Sequence, residues 1–220
     1  MSYIMTSRVL IVTAVEAEQK AIENGLPTGL SADVRVIAAG AGPAAAATVT
    51  SAELAKHKYH LVINAGIGGG FPAEAEVGSV VLATEVIAAD LGSETAEGFR
   101  SVDELGFGKS SVPVDRTIVQ RWAEVLQGEE THVYTGPILT VSTTTGTKST
   151  ADELQRRVPG AVAESMEGFG VGTAAAHFGI PFVEIRAISN VVGPRDREAW
   201  RIPDALRALT LASSKLLEVL

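Results

Sequence analysis

The stretch A-E-S-M-E-G-F-G-V-G-T-A-A-A-H-F-G-I-P-F-V-E-I-R-A-I-S-N-V-V-G, Ala163 to Gly193, decides the fold. Glu167 opens a run of small residues spaced as a helix to about Phe178, and Gly179 and Pro181 stop it. An apolar run from Phe182 to Ile188 follows, short and bounded as a buried strand is, and Ser189 and Asn190 stand at its end. Helix, turn and apolar strand in that order describe half of a parallel α/β unit. In open sheets of that kind, polar residues at the carboxyl ends of strands are where ligands bind.

Working outward, the same alternation recurs. Val9–Thr13, Val34–Ala39 and Leu61–Ala65 read as buried strands, and Val77–Ile87 and Gly136–Val141 as further ones. Helices are expected over Glu16 to about Asn24, Pro43 to about Lys56, Asp115–Gln127, Lys148–Arg157 and Pro203–Leu220. Pro43 suits a first helical turn. The polar, glycine-rich segment Asp90–Ser111 reads as one long functional loop. These elements predict one α/β domain over residues 1–220, with a mixed, mostly parallel sheet between two helical layers.

Composition narrows the partners. The chain has 220 residues, 46% of them hydrophobic, and a formal charge of −8, with no basic run to follow a phosphate backbone, so nucleic acid is excluded as a partner. The absence of cysteine removes disulfides, thiol catalysis and thiolate metal sites. His57, His60, His132 and His177 are scattered, so no metal site is expected. No apolar run reaches the roughly 18 residues of a membrane span, and the N-terminus M-S-Y-I-M-T-S-R lacks a signal peptide's apolar core. A cytoplasmic protein without a membrane partner is the expectation.

Two glycine-bearing stretches imitate nucleotide sites. Gly40-Ala41-Gly42-Pro43-Ala44-Ala45 matches G-x-G-x-x-A, but the next strand ends in Asn64 and glycines where a dinucleotide fold wants an acidic residue. Thr143–Thr150 (T-T-T-G-T-K-S-T) lacks the first glycine of a phosphate loop, and Thr147 separates Gly146 from Lys148; it reads as a hydroxyl-rich helix cap. No cofactor is expected. Glu16 and Glu18 follow the first strand directly, so Glu18, Glu167 and Asn190 all reach one edge of the sheet. A carboxylate base for water, a clamp for hydroxyls and an amide are the parts of a hydrolytic site for a polar small molecule.

Taken together, A-V-E-A-E (Ala14–Glu18), A-G-A-G (Ala39–Gly42), N-A-G-I-G-G-G (Asn64–Gly70), S-M-E-G (Ser165–Gly168) and R-A-I-S-N (Arg186–Asn190) resemble the purine nucleoside phosphorylase/nucleosidase superfamily. Within it they are similar to the methylthioadenosine/S-adenosylhomocysteine nucleosidases and, more closely, to the futalosine hydrolase family. The resemblance covers nearly the whole chain. It implies that Glu18 activates water, that Glu167 binds ribose hydroxyls with Met166 packed on the sugar, and that Ser189 orients Asn190. It also places Trp200 near base and ribose, and Ile67, Gly68 and Arg186 among the substrate-binding residues. Asn190 stands where the adenine-releasing enzymes carry aspartate.

An amide can donate to N7 or O6 and accept from a ring N–H, which suits a 6-oxopurine such as hypoxanthine. The resemblance therefore implies hydrolysis of futalosine to hypoxanthine and dehypoxanthinyl futalosine, in menaquinone biosynthesis. The loops at Ala14–Gln19, Ala39–Pro43 and Asn64–Gly70 contain no arginine to hold a phosphate nucleophile, so water is the expected attacker. The substrate's benzoate calls for a cation among Arg100, Lys109, Arg195 and Arg197. A homo-oligomer built on a dimer is implied as well. An adenine-releasing nucleosidase, a non-catalytic nucleoside-binding protein and a dinucleotide-binding module are the alternatives.

Overall fold

The computed structural model describes residues 8–27, 33–129 and 131–220. The expectation for the first seven residues thus lies outside the described chain. Among the described residues ten strands and seven helices follow one another: β1 (Arg8–Thr13), α1 (Glu16–Gly25), β2 (Asp33–Ala38), α2 (Pro43–Leu54), β3 (Leu61–Gly70), β4 (Val80–Ala88) and β5 (Gly92–Thr95). Next come β6 (Gly98–Ser101), β7 (Ser111–Pro113), α3 (Arg116–Gln127), β8 (Val133–Thr140), α4 (Lys148–Arg157) and β9 (Ala163–Ser165). The chain closes with α5 (Gly168–His177), β10 (Phe182–Val191), α6 (Ile202–Ser214) and α7 (Leu216–Val219).

The main sheet runs β10-β4-β8-β9-β3-β1-β2, with β7 on β4 and a further pairing of β10 with β3. That last pairing closes β3, β10, β4, β8 and β9 into a ring. Most pairings are parallel; β3 with β9, and β4 with β10 and with β7, are antiparallel. Alternate side chains of β1 feed two different apolar clusters. Val9 and Ile11 join Trp122 of α3 and Leu209 of α6 on one face, while Leu10 and Val12 join Ala46 of α2 and Val171 of α5 on the other. The expected helix–sheet–helix layering is present, with the sheet curled enough to close.

Four differences from the sequence reading matter for the site. The strand expected to end at Ala65 runs on through Gly66–Gly70, wedged between β9 and β10: a Cβ on Gly68 would meet the Glu164 carbonyl oxygen at 2.7 Å. The strand β9 is only three residues long and escaped notice. The strand β10 runs on through Ser189 and Asn190 to Val191, with its register on β3 shifting between Ile188 and Asn190. Such a bulge re-aims the residues it contains. The expected long loop holds a hairpin, β5–β6, before β7.

Candidate active site

Glu18 occupies the third position of α1, where a carboxylate meets unsatisfied backbone donors. Its Oε2 accepts from the backbone N–H of Ala14 at 2.9 Å and of Val15 at 3.1 Å. Its Oε1 accepts from Ile67 N–H on β3 at 2.9 Å. Two backbone groups just after β1 and one within β3 therefore fix a side chain that is only 3% exposed yet lines a cavity. Gly66 makes this possible. A Cβ there would stand 2.6 Å from Nη1 of Arg186 and 2.7 Å from Oε1 of Glu18.

Glu167 is the residue before α5, held from two sides. Gly42, whose φ of +93° only glycine adopts readily, donates its N–H to Oε1 at 3.1 Å. The Arg186 guanidinium donates to Oε2 at 3.2 Å. Arg186 itself is 1% exposed and is not part of the cavity lining. Its Nε donates to Glu184 at 2.8 Å, and its Nη2 bonds the Asn64 side chain. Burial works to lower its pKa, but the carboxylates of Glu184, Glu167 and Glu18 outweigh burial and hold it above its ordinary value. The structure thus places Arg186 behind the cavity wall, where it holds Glu167. The planar fork on one face of a buried strand explains why, since each arm already has a partner.

The bulge in β10 presents the third group. Ser189 Oγ lies 3.2 Å from the Gly68 carbonyl and 2.9 Å from Oδ1 of Asn190, so it can donate to either. Asn190 Nδ2 donates to the Val191 carbonyl at 3.1 Å. Ile67, Gly68, Met166, Ser189, Asn190 and Trp200 line one cavity of about 380 Å³ together with Glu18 and Glu167. All the site residues expected from the sequence meet there except Arg186. Of the four expected cations, only Arg195 reaches the lining, with its guanidinium 5.4 Å from the centre of the Trp200 ring.

The two imitation motifs take other roles. Gly42 serves Glu167, while Thr147 caps α4 by accepting from Thr150 N–H at 3.2 Å, leaving Thr144 and Thr145 on the cavity wall. Among the described residues no group of three or more His, Cys, Asp or Glu could hold a metal ion, and no helix is long and apolar enough to cross a membrane.

The phosphorylase superfamily profile matches residues 28–220. A futalosine hydrolase of Streptomyces coelicolor is 46% identical, with 96% of each chain covered. Another futalosine hydrolase, of Acidothermus cellulolyticus, is 44% identical over 96% of this chain and 91% of its own. The chain belongs to the phosphorylase superfamily, in its futalosine hydrolase family. The fold agrees: a methylthioadenosine/S-adenosylhomocysteine nucleosidase from Colwellia psychrerythraea, solved with adenine, superposes with a TM-score of 0.86 at 22% identity, over 100% of this chain and 98% of that one.

Two buried carboxylates of this family member escaped the sequence reading. Glu184 and Arg186 stand two apart in an apolar strand, so they share one face; that pairing was the available signal. Glu164 sits beside Ser165 on the cavity wall, in a strand too short to leave a periodic pattern.

Proposed function

We propose that this cavity hydrolyses the N-glycosidic bond of futalosine, releasing hypoxanthine and dehypoxanthinyl futalosine for menaquinone biosynthesis. The observation that carries the reading is the convergence of Glu18, Glu167 and Asn190 in one cavity, in a chain 46% identical to a futalosine hydrolase. Glu18 takes a proton from the attacking water. Glu167 accepts from the ribose hydroxyls, and its negative charge favours the oxocarbenium-like transition state. Asn190 pairs with the oxygen-bearing edge of the purine, where its NH₂ donates to O6. Water is preferred to phosphate because the Arg186 guanidinium, whose charge the Glu18 carboxylate supports, already serves Glu167, Glu184 and Asn64.

Incubation with futalosine, methylthioadenosine and inosine, each with and without phosphate, tests the reaction. Hypoxanthine released from futalosine without phosphate is the expected product. Strict phosphate dependence, or cleavage of methylthioadenosine alone, overturns the reading. Asn190→Asp should lower kcat/KM for futalosine about 10–100-fold, because a carboxylate facing O6 loses a donated hydrogen bond, and should move the preference toward adenine nucleosides. An unchanged ratio between the two substrate classes would remove Asn190 as the base reader.

Arg195 receives the substrate's benzoate in this reading. Arg195→Ala should raise KM for futalosine severalfold, and leave inosine, which lacks the benzoate, unaffected; the effect is limited because Arg195 is exposed and screened by water. Equal loss on both substrates would argue against that contact. The reading also takes the protein as cytoplasmic and as a dimer-based homo-oligomer. Phe107, 82% exposed, and the exposed Val15 and Val191 at the cavity support the latter. Light scattering on the purified protein gives the oligomeric state.

A further inference from the structure

Glu164 is a buried cavity carboxylate to which no task has been assigned. It stands on β9 directly opposite Gly69 of β3 in an antiparallel pair. Residues opposite one another in such a pair send their side chains to the same face, with Cβ positions about 5 Å apart. A Cβ on Gly69 would lie 3.2 Å from Nδ2 of Asn190. The side chain of Glu164 therefore leaves the sheet on the face that carries the Asn190 amide, across the strip of β3 where Gly69 has no side chain. Both residues line the cavity that the purine must enter.

The surroundings of this carboxyl suit a group that carries a proton. It is 6% exposed, and its hydrogen-bond partner is Thr145: the backbone N–H donates to Oε1 at 2.8 Å, and the hydroxyl pairs with Oε2. The Thr145 loop is anchored in turn where Arg195 N–H donates to the Gly146 carbonyl at 3.3 Å. Of the charged groups around it, Asp90 lies behind the same loop, accepting from Ser142 N–H at 2.6 Å, while Glu18, Glu167, Arg195 and Asp196 share the cavity lining. Burial pushes the Glu164 carboxyl above the ordinary carboxylate range, the Thr145 hydrogen bonds pull against that, and Asp90 adds to the rise. Asn190, by contrast, has no acidic proton to give a departing base.

We propose that Glu164 is the general acid of this site, giving its proton to N7 of the purine as the bond between C1′ and N9 breaks. The inference rests on the nucleosidase reading above. The electron pair of the breaking bond passes to the purine, which leaves as the neutral base once N7 is protonated. The water oxygen bonds to C1′, and its proton goes to Glu18. Return of that proton from Glu18 to Glu164 through solvent restores both groups. The Asn190 amide meanwhile holds O6, so recognition and proton donation fall to different residues on one wall.

The test compares the wild-type protein with Glu164→Gln on two substrates: futalosine, and a riboside with the same 5′ group whose base is replaced by p-nitrophenolate, a leaving group that needs no proton. The glutamine keeps the hold on the loop, since its oxygen can accept from Thr145 N–H and its NH₂ can donate to the hydroxyl. Hypoxanthine release should fall about 10²-fold, with the alkaline fall in kcat abolished, while nitrophenolate release stays within a few-fold. Equal loss on both substrates, or loss on neither, overturns the proposal.

Thr145→Val provides a second measurement that does not depend on that variant folding. Removing the hydroxyl takes away a hydrogen bond that lowers the Glu164 pKa, so the alkaline limb of the kcat profile should move to higher pH. A limb that does not move counts against Glu164. If the wild-type protein left futalosine intact but cleaved another purine nucleoside, the substrate reading would fail. The same comparison on that nucleoside would still decide the role of Glu164.

Discussion

Glu18→Gln is expected to lower kcat for hypoxanthine release by about 10²–10⁴ while KM moves only a few-fold, the signature of a group that acts in the transition state. The amide cannot take a proton from water. It also cannot satisfy all three backbone donors: with its oxygen toward Ala14 and Val15, its NH₂ faces the Ile67 N–H. That second effect should appear as a small fall in the unfolding midpoint, separable from the kinetic one. Glu16→Gln, on the exposed side of the same helix where the carboxylate pairs loosely with Lys20, should change neither quantity. Full turnover by Glu18→Gln would remove the assigned base and, with it, the reason for preferring water over phosphate.

What was legible in the sequence follows the strength of the local signals. The bounds of α4 were readable at both ends, because Thr147 caps it and no competing pattern surrounds it. The strand β1 was readable because β-branched residues fill both faces of a strand buried on both sides. Glycine misled: the expected strand stopped at Ala65, yet neighbouring strands approach Gly66–Gly70 so closely that only glycine fits, and the strand continues. Ser189 and Asn190 read as residues after a strand because they are polar, although a bulge keeps them within it.

Glu18, Glu167 and Asn190 were placed by strand order, but the other cavity residues by matched motifs, and those motifs do not say which way a side chain points. Arg186 is the instructive case. Its place in R-A-I-S-N suggested the cavity, but the face it occupies depends on β-strand parity and on what waits behind the sheet. Glu184, two residues earlier, decides that: a charged pair on one face of an otherwise apolar strand is more economically satisfied by itself than by a ligand. Glu164 shows the complementary gap, since a three-residue strand gives no period from which to infer a face.

Arg186→Met should destabilise the protein by about 3–5 kcal/mol, the cost of leaving a buried carboxylate without its cation. Glu184 is fully buried, and among the described residues its Oε2 has no hydrogen-bond partner even with Arg186 present. Gly168 packs so closely on that oxygen that the side chain has little room to turn toward water. In urea the midpoint should fall with the slope of the transition unchanged. Adding Glu184→Met should recover most of the midpoint, because the fully buried Glu184 charge is gone, while Glu167 keeps Gly42 N–H and borders the open cavity.

The doubly substituted protein separates two roles that the single one confounds. If Arg186 acts only in folding, restoring stability should restore kcat. The geometry predicts otherwise. Glu167 would keep its contact with Gly42 N–H but lose the guanidinium on Oε2, so the carboxylate proposed to hold the ribose would be free to rotate within the cavity. The double variant should therefore fold nearly as well as the wild type and still turn over more slowly. An unchanged midpoint in Arg186→Met, or full activity in the stabilised double variant, would contradict the role given to the guanidinium.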